Sequence, residues 1–181
     1  MNKIELKNKL EKVQKEISEL TTQTSDIINT VSMNKAMQNI LKILGTASRA
    51  NRCFVWENYF REGISLPFMK QIYEWVEGVE AVQDSEIIDH VIYEPDIYDL
   101  LSSGNSLNAI VKDLDDYTRG ILEAQGIKSI LLVPVHIDNN FWGFIGFDNC
   151  HSEELWEPFE EEILKSASLT IAQMIDKFKK I

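Results

Sequence analysis

Between positions 6 and 31 the apolar residues fall at Leu6, Leu10, Val13, Ile17, Leu20, Ile27 and Val31, with Thr24 filling the one polar gap. The steps alternate between four and three, which is a heptad repeat. Its narrow two-in-seven stripe is the width of a coiled-coil seam rather than of a broad core-facing surface. Leu10 and Ile17 take the a positions and Leu6, Val13 and Leu20 the d positions, and β-branched Ile at a with Leu at d favours two parallel strands. The spacing predicts a helical segment over residues 1–33 that pairs with a second copy of the chain. The same stripe also suits a helix folded back on its own domain.

From residue 34 onward the pattern changes. A second helix starts after Ser32 or Asn34, both good N-cap types, and carries Met37, Ile40, Leu41, Leu44 and Ala47 on one face. Arg52 to Tyr59 and Phe68 to Val76 are rich in β-branched and aromatic residues and predict two strands. In the second, Phe68, Ile72 and Val76 alternate against Met69, Tyr73 and Trp75. Residues 78–93 carry mixed signals and predict a loop with a short helix. Pro95 opens a helix at the favoured first position, and Gly104 closes it. Leu107 to Val111 is a short strand, and Asp115 and Asp116 cap a helix that ends at Gly126. Residues 129–135 and 141–148 are near-continuous apolar runs around the polar Asp138, Asn139 and Asn140, which is the pattern of a hairpin covered on both faces. A long amphipathic helix follows from about Pro158. Together these predict an α/β (α+β) domain over residues 34–181, with a mainly antiparallel central sheet between helical layers and an N-terminal coiled-coil helix before it.

The succession of hairpin, Phe147-Asp148 at the strand end and long closing helix resembles the C-terminal half of GAF domains, small sensory modules of signalling proteins. Residues 124–131 (Ala-Gln-Gly-Ile-Lys-Ser-Ile-Leu) followed by residues 141–148 (Phe-Trp-Gly-Phe-Ile-Gly-Phe-Asp) look like GAF domains of bacterial and archaeal sensor kinases. The resemblance covers roughly residues 34–178. It implies a sensor fold and an input role in a two-component system, without naming a ligand. GAF domains that attach bilins carry a Cys in the middle helical region, and residues 93–126 contain none. The cysteine cluster of GAF-type methionine sulfoxide reductases and the Asn-Lys…Phe-x3-Asp-Glu signature of cyclic-nucleotide-binding GAF domains are also missing.

Charge and composition narrow the partners. A net charge of −11 repels phosphate backbones, which argues against nucleic acid. No apolar run approaches the roughly 20 residues a membrane helix requires, so no direct membrane insertion is expected. The N-terminus lacks the apolar centre of a secretory signal, which predicts cytoplasmic residence. Cys53 and Cys150 stand far apart, with no Cys-x-x-Cys pair, as suits a reduced compartment. His90, His136 and His151 sit in no recognisable catalytic motif, and no nucleophile elbow, phosphate loop or zinc-binding helix occurs. No catalytic residue and no metal ligand is therefore assigned. The acidic runs at 113–116, 153–154 and 160–162 fall near helix starts, where solvated carboxylates complement the helix dipole.

Glu57 and Glu74 are harder to place, since each lies in an otherwise apolar or aromatic strand. A carboxylate inside a sheet covered on both faces must meet an edge, a partner such as Arg52, or a ligand. The candidate ligand-binding residues are Glu57, Tyr73, Trp75, Tyr98 and Asp148, gathered between the sheet and the variable middle segment. The alternative is that the carboxylates are exposed or paired and the aromatics are core. The functional expectation is a non-catalytic sensory domain, a histidine kinase input module, that binds an unidentified small molecule and forms a homodimer through its terminal helices. The alternatives are an interaction module with a vestigial pocket, and a redox enzyme of the methionine sulfoxide reductase type.

Overall fold

A computed structural model describes residues 3–24, 30–65, 67–81 and 94–179. The chain order is α1 (Lys3–Thr24), α2 (Thr30–Ala47), β1 (Arg52–Tyr59), β2 (Phe68–Val76), α3 (Pro95–Ser102), β3 (Leu107–Ile110), a 3-10 turn (Val111–Asp113), α4 (Asp116–Ala124), β4 (Ser129–Ile137), β5 (Asn140–Asn149) and α5 (Pro158–Lys179). Among the described residues one sheet forms, in the order β2-β1-β5-β4-β3, and every neighbouring pair is antiparallel. The predicted fold class, α/β with a mainly antiparallel sheet, is what the structure shows. Of the loop and short helix expected over 78–93, residues 78–81 are irregular and residues 82–93 lie outside the described residues.

The β4–β5 hairpin closes through Asp138 and Asn139, whose φ angles are 50° and 63°. A two-residue turn with both residues left-handed matches the right-handed twist of the flanking strands, and Asp and Asn tolerate that conformation better than other side-chain-bearing residues. Gly146, opposite Phe54 on the neighbouring strand, lets the Phe54 ring lie flat on the sheet.

One face of the sheet is covered by α2 and α5, and α1 packs on these two helices. Cys53, Val55, Leu131, Val133, Val135, Ile145 and Phe147 point into this layer and meet Met37, Ile40, Leu41 and Leu44 of α2 and Leu164, Ala167, Ile171 and Met174 of α5. The heptad stripe of α1 joins the same core: Leu6 and Val13 are buried and Ile17 is fully inaccessible within this one chain. Lys3 pairs with Glu157 at 2.8 Å and Gln14 with Ser166, so α1 runs parallel to α5; Lys9 donates to the Thr46 carbonyl at the far end of α2. This corrects the expectation of an intermolecular seam. An apolar stripe has no intrinsic partner, and the wide apolar surface of α5 accepts α1 inside the chain.

The start of α5 departs from expectation in a second way. Glu160 is completely buried: its Oε2 accepts from the backbone N–H of Glu157 at 2.7 Å and from Arg49 Nη2 at 2.9 Å. The first contact is the return half of a capping box. The second ties α5 to the segment after α2, with the Arg49 guanidinium over the Trp156 ring. The acidic run at 160–162 is therefore only partly the solvated feature its composition suggests.

Candidate functional site

On the opposite face of the sheet a smaller apolar cluster joins Phe54, Trp56, Ile130, Leu132 and Phe144 to Leu101 of α3. Trp56 and Phe144 stack with centroids 6.3 Å apart, and Phe54 meets Phe144 edge-on at 6.4 Å. These rings form the floor of a cavity of about 950 Å³ roofed by α3 and α4. Such a volume suits a drug-sized organic molecule, and a mostly apolar wall with few polar groups is the usual make-up of a small-molecule site.

Helix α4 is a lightly buried wall of the cavity. It buries none of its residues; Tyr117 and Ile121 line the cavity yet are largely exposed. Its first turn is held by Asp115, whose Oδ1 accepts from the N–H groups of Tyr117 at 3.0 Å and Thr118 at 2.9 Å. Hydrogen bonds, that to Thr118 foremost, hold the Asp115 carboxyl below the usual carboxylate range. Replacing it in Asp115→Ala is expected to cost about 1 kcal/mol. Amide hydrogen exchange should report the loss as faster exchange confined to α4, with β4 and β5 unchanged.

The polar end of the cavity is a buried ionic group. Arg52, Glu74 and Asp148 are 4%, 7% and 1% exposed. The Arg52 Nη1 donates to Asp148 Oδ2 at 3.4 Å, and its Nε lies 3.8 Å from Glu74 Oε1. The remaining guanidinium contacts go to backbone: Nε and Nη2 donate to the Glu80 carbonyl at 3.2 and 3.1 Å, and Nη2 to the Gln125 carbonyl at 3.3 Å. One guanidinium thus faces two carboxylates. Beside them Gln71 is also buried, and both Gln71 Nε2 and Asp148 Oδ1 lack a hydrogen-bond partner among the described residues.

Burial pushes the Asp148 carboxyl from 3.8 up to about 7; Arg52 opposes the shift and Glu74 adds to it. The folded chain therefore holds this proton more tightly than the unfolded chain does. The stabilisation is complete below about pH 4 and is lost as pH rises through about 7. Urea denaturation from pH 4 to 8 should show that decline in the wild type and a flatter profile in Asp148→Asn.

The five residues expected to bind ligand do not form one site. Asp148 lines the large cavity. Glu57 and Tyr73 lie on the other face, in a separate cavity of about 380 Å³ beside Met33, Asn34 and Phe178. There Glu57 accepts from Trp142 Nε1 at 3.1 Å and Tyr73 donates to Asn34 Oδ1 at 3.0 Å. Burial and the nearby Glu57 raise the Tyr73 hydroxyl's pKa. Trp75 also points to the helical face, where its ring occupies the space a side chain at Gly45 would need. Tyr98 packs against Phe141, centroids 5.9 Å apart, without lining the large cavity.

The cause is a β-bulge. The β1–β2 register runs Val55↔Tyr73 and then Trp56↔Gln71, so Ile72 is the extra residue on β2. Ile72 and Tyr73 both line the helical-face cavity, and the simple alternation read along β2 fails from that point. Strand parity alone separates Glu57 from Trp56. Arg52 and Glu74 were visible as a cation and a carboxylate in apolar strands, but Gln71 carried no such signal.

The architecture is thus an antiparallel sheet between helical layers, with a half-open cavity on the face away from the terminal helices. The family model of the GAF domain matches residues 32–175, and this chain belongs to the GAF family. A curated relative, the methanogenesis regulatory histidine kinase FilI of Methanothrix harundinacea (strain 6Ac), is 39% identical over 137 residues. That alignment covers 74% of this chain and 15% of the relative's length. Solved structures share the fold. A biliverdin-bound far-red absorbing dark state has a TM-score of 0.73 at 14% identity, covering 92% of this chain and 99% of its own. The phycoerythrobilin-bound GAF domain of a cyanobacterial phytochrome has a TM-score of 0.71 at 12% identity, covering 94% and 96%. The GAF domain of the cyanobacteriochrome TePixJ has a TM-score of 0.69 at 15% identity, covering 87% and 95%.

Proposed function

We propose that the chain is a non-catalytic sensory input module of a histidine kinase type of signalling protein, and that it binds a small molecule in the large cavity. The observation that carries this reading is the cavity itself: about 950 Å³, aromatic-floored, with buried polar atoms left unpartnered at one end. The relative that is a regulatory histidine kinase supports the signalling role, and cytoplasmic residence goes with it. Support for a non-catalytic role comes from the lining. Its described residues include no Cys, His or Ser, and Cys53 points to the opposite face. In this reading residues 34–181 are the sensor and residues 1–33 a signalling helix docked on it. Strand β5 links the two faces, with Asp148 in the cavity and the adjacent Phe147 packed against Trp156 just before α5.

The test is native mass spectrometry of the purified chain for a co-purifying molecule, followed by a thermal-shift screen. A ligand at 100 times its dissociation constant stabilises by about 2.7 kcal/mol. The Gly120→Leu variant should abolish that gain: Gly120 lines the cavity from α4, and a Cβ there meets nothing within 4 Å, so the fold tolerates it. A hit that stabilises both proteins equally binds elsewhere and counts against the reading. Homodimerisation through the terminal helices is the finer part of the proposal, supported by Ile4 and Leu169 left exposed on α1 and α5. Sedimentation equilibrium showing only monomer would remove it.

A further inference from the structure

Building on the ligand-binding reading above, we infer that the cavity takes a neutral aromatic carbonyl compound, a flat ring system seated on Phe54, Trp56 and Phe144 whose carbonyl oxygen accepts a hydrogen bond from Gln71 Nε2. The ring follows from the floor. Phe144 stands at 82° to Phe54 and within 10° of Trp56, so the three side chains form a corner of aromatic surfaces at right angles. A flat ring placed there lies over one surface and sets its edge against the other, the two arrangements that aromatic pairs prefer. An acyl chain or a saturated ring buries apolar surface on the same floor and gains neither arrangement.

The carbonyl follows from Gln71. Its side chain lines the cavity, is only 5% exposed, and leaves Nε2 without a hydrogen-bond partner. A buried amide N–H without an acceptor is costly, and at a cavity wall an acceptor on the occupant relieves it. The last torsion of a glutamine side chain is broad, so Nε2 turns toward the occupant without giving up a hydrogen bond. Asp148 Oδ1, also unpartnered, does not define the ligand in the same way. With its carboxyl pushed up to about 7, Asp148 accepts when ionised and donates when protonated, whereas Gln71 Nε2 is a donor at every pH. Most of the remaining lining is apolar, and an ionic head would leave its hydration shell for carbon. A carbonyl oxygen, with two lone pairs and no charge, meets both conditions.

The experiment is competition for the cavity against a neutral apolar fluorophore, N-phenyl-naphthylamine, at pH 8. The probes are 2-acetylnaphthalene, 2-ethylnaphthalene and 2-naphthoate, which share one ring system, and 2-acetyldecalin, the saturated counterpart of the first. Water solvates the ketone better than the hydrocarbon, so the measure is the ketone-to-hydrocarbon affinity ratio in the wild type divided by the same ratio in Gln71→Met. That quotient should be about tenfold, the effect of one hydrogen bond to a buried donor. The decalin ketone should displace the dye about threefold less well than the naphthalene ketone, and 2-naphthoate less well than the naphthalene ketone. Far-ultraviolet circular dichroism checks the fold of the variant. Should it not fold, nuclear magnetic resonance of the nitrogen-15-labelled wild type gives the same reading: the Gln71 side-chain N–H signals should move downfield with the ketone and stay in place with the hydrocarbon. A quotient near one, or Gln71 signals that ignore the ketone, removes the carbonyl; a decalin ketone that binds as tightly removes the ring; a tighter 2-naphthoate makes the ligand an acid. Each of these overturns the inference, and dye binding would still support the cavity as a site. If the dye does not bind and no probe shifts the melting temperature, both readings fall together.

Discussion

Arg52→Met is expected to lower the stability of the domain by about 3–5 kcal/mol at pH 8, the range for removing one partner from a buried ionic group. The methionine fills much of the arginine's space, so packing changes little. What changes is that Asp148 loses the guanidinium that holds its pKa down, so that in the folded variant it must take up a proton at pH 8 or stay ionised at a cost, while the Glu80 and Gln125 carbonyls lose their donor. The loss should diminish at pH 5, where the Asp148 carboxyl, already pushed up to about 7 in the wild type, is neutral. The double variant Arg52→Met/Asp148→Asn should recover part of it at pH 8. Urea denaturation of the four proteins at the two pH values measures the whole cycle. A single-variant loss under about 1 kcal/mol at pH 8, unaltered at pH 5, would show that the ionic group does not hold the sheet's polar end together.

The features legible in the chain were those whose cause is local. The hairpin turn needs two left-handed residues, and Asp138-Asn139 announces them; the strands at 52–59 and 68–76 are bounded by composition; and Pro95 and Asp115 mark helix starts. Two kinds of information were absent. The heptad stripe in α1 is equally good against a second chain or against α5, and the decision rests on surface contributed more than 150 positions away, where Gln14 meets Ser166. The site suffered from a single extra residue. With Ile72 bulged out, Gln71 and Glu74 face the cavity while Tyr73 and Trp75 turn to the helices, so the aromatics that composition puts forward are on the wrong face. Bulges depend on the partner strand's register, which one strand's sequence does not state. The ionic group shows the same limit from the other side: Arg52, Glu74 and Asp148 come from three strands, and only the order β2-β1-β5 brings them together.

Gly143→Ala should be among the most damaging single-methyl changes available in this chain, costing about 3 kcal/mol or more, the upper end of the overpacking range. Gly143 sits on β5 opposite Glu57, and a Cβ there would stand 2.1 Å from the Trp56 carbonyl oxygen, 3.0 Å from its carbon and 3.2 Å from the Glu57 Cα. All three atoms are backbone, so no rotamer change relieves the overlap; β1 and β5, neighbours in the middle of the strand order, must move apart at the last pair of their ladder. Gly146, three residues on, gives the contrast. A Cβ there would lie 1.9 Å from Cε2 of Phe54, a side-chain atom, and the ring has the cavity to rotate into. Gly146→Ala is therefore expected to cost less in stability than Gly143→Ala while narrowing the cavity and weakening ligand binding. Urea denaturation of both variants, with N-phenyl-naphthylamine binding measured on each that folds, separates the two effects. Equal stability losses would show that the β1–β5 backbone yields as readily as the Phe54 ring, and the close approach at Gly143 would then have no special hold on the fold.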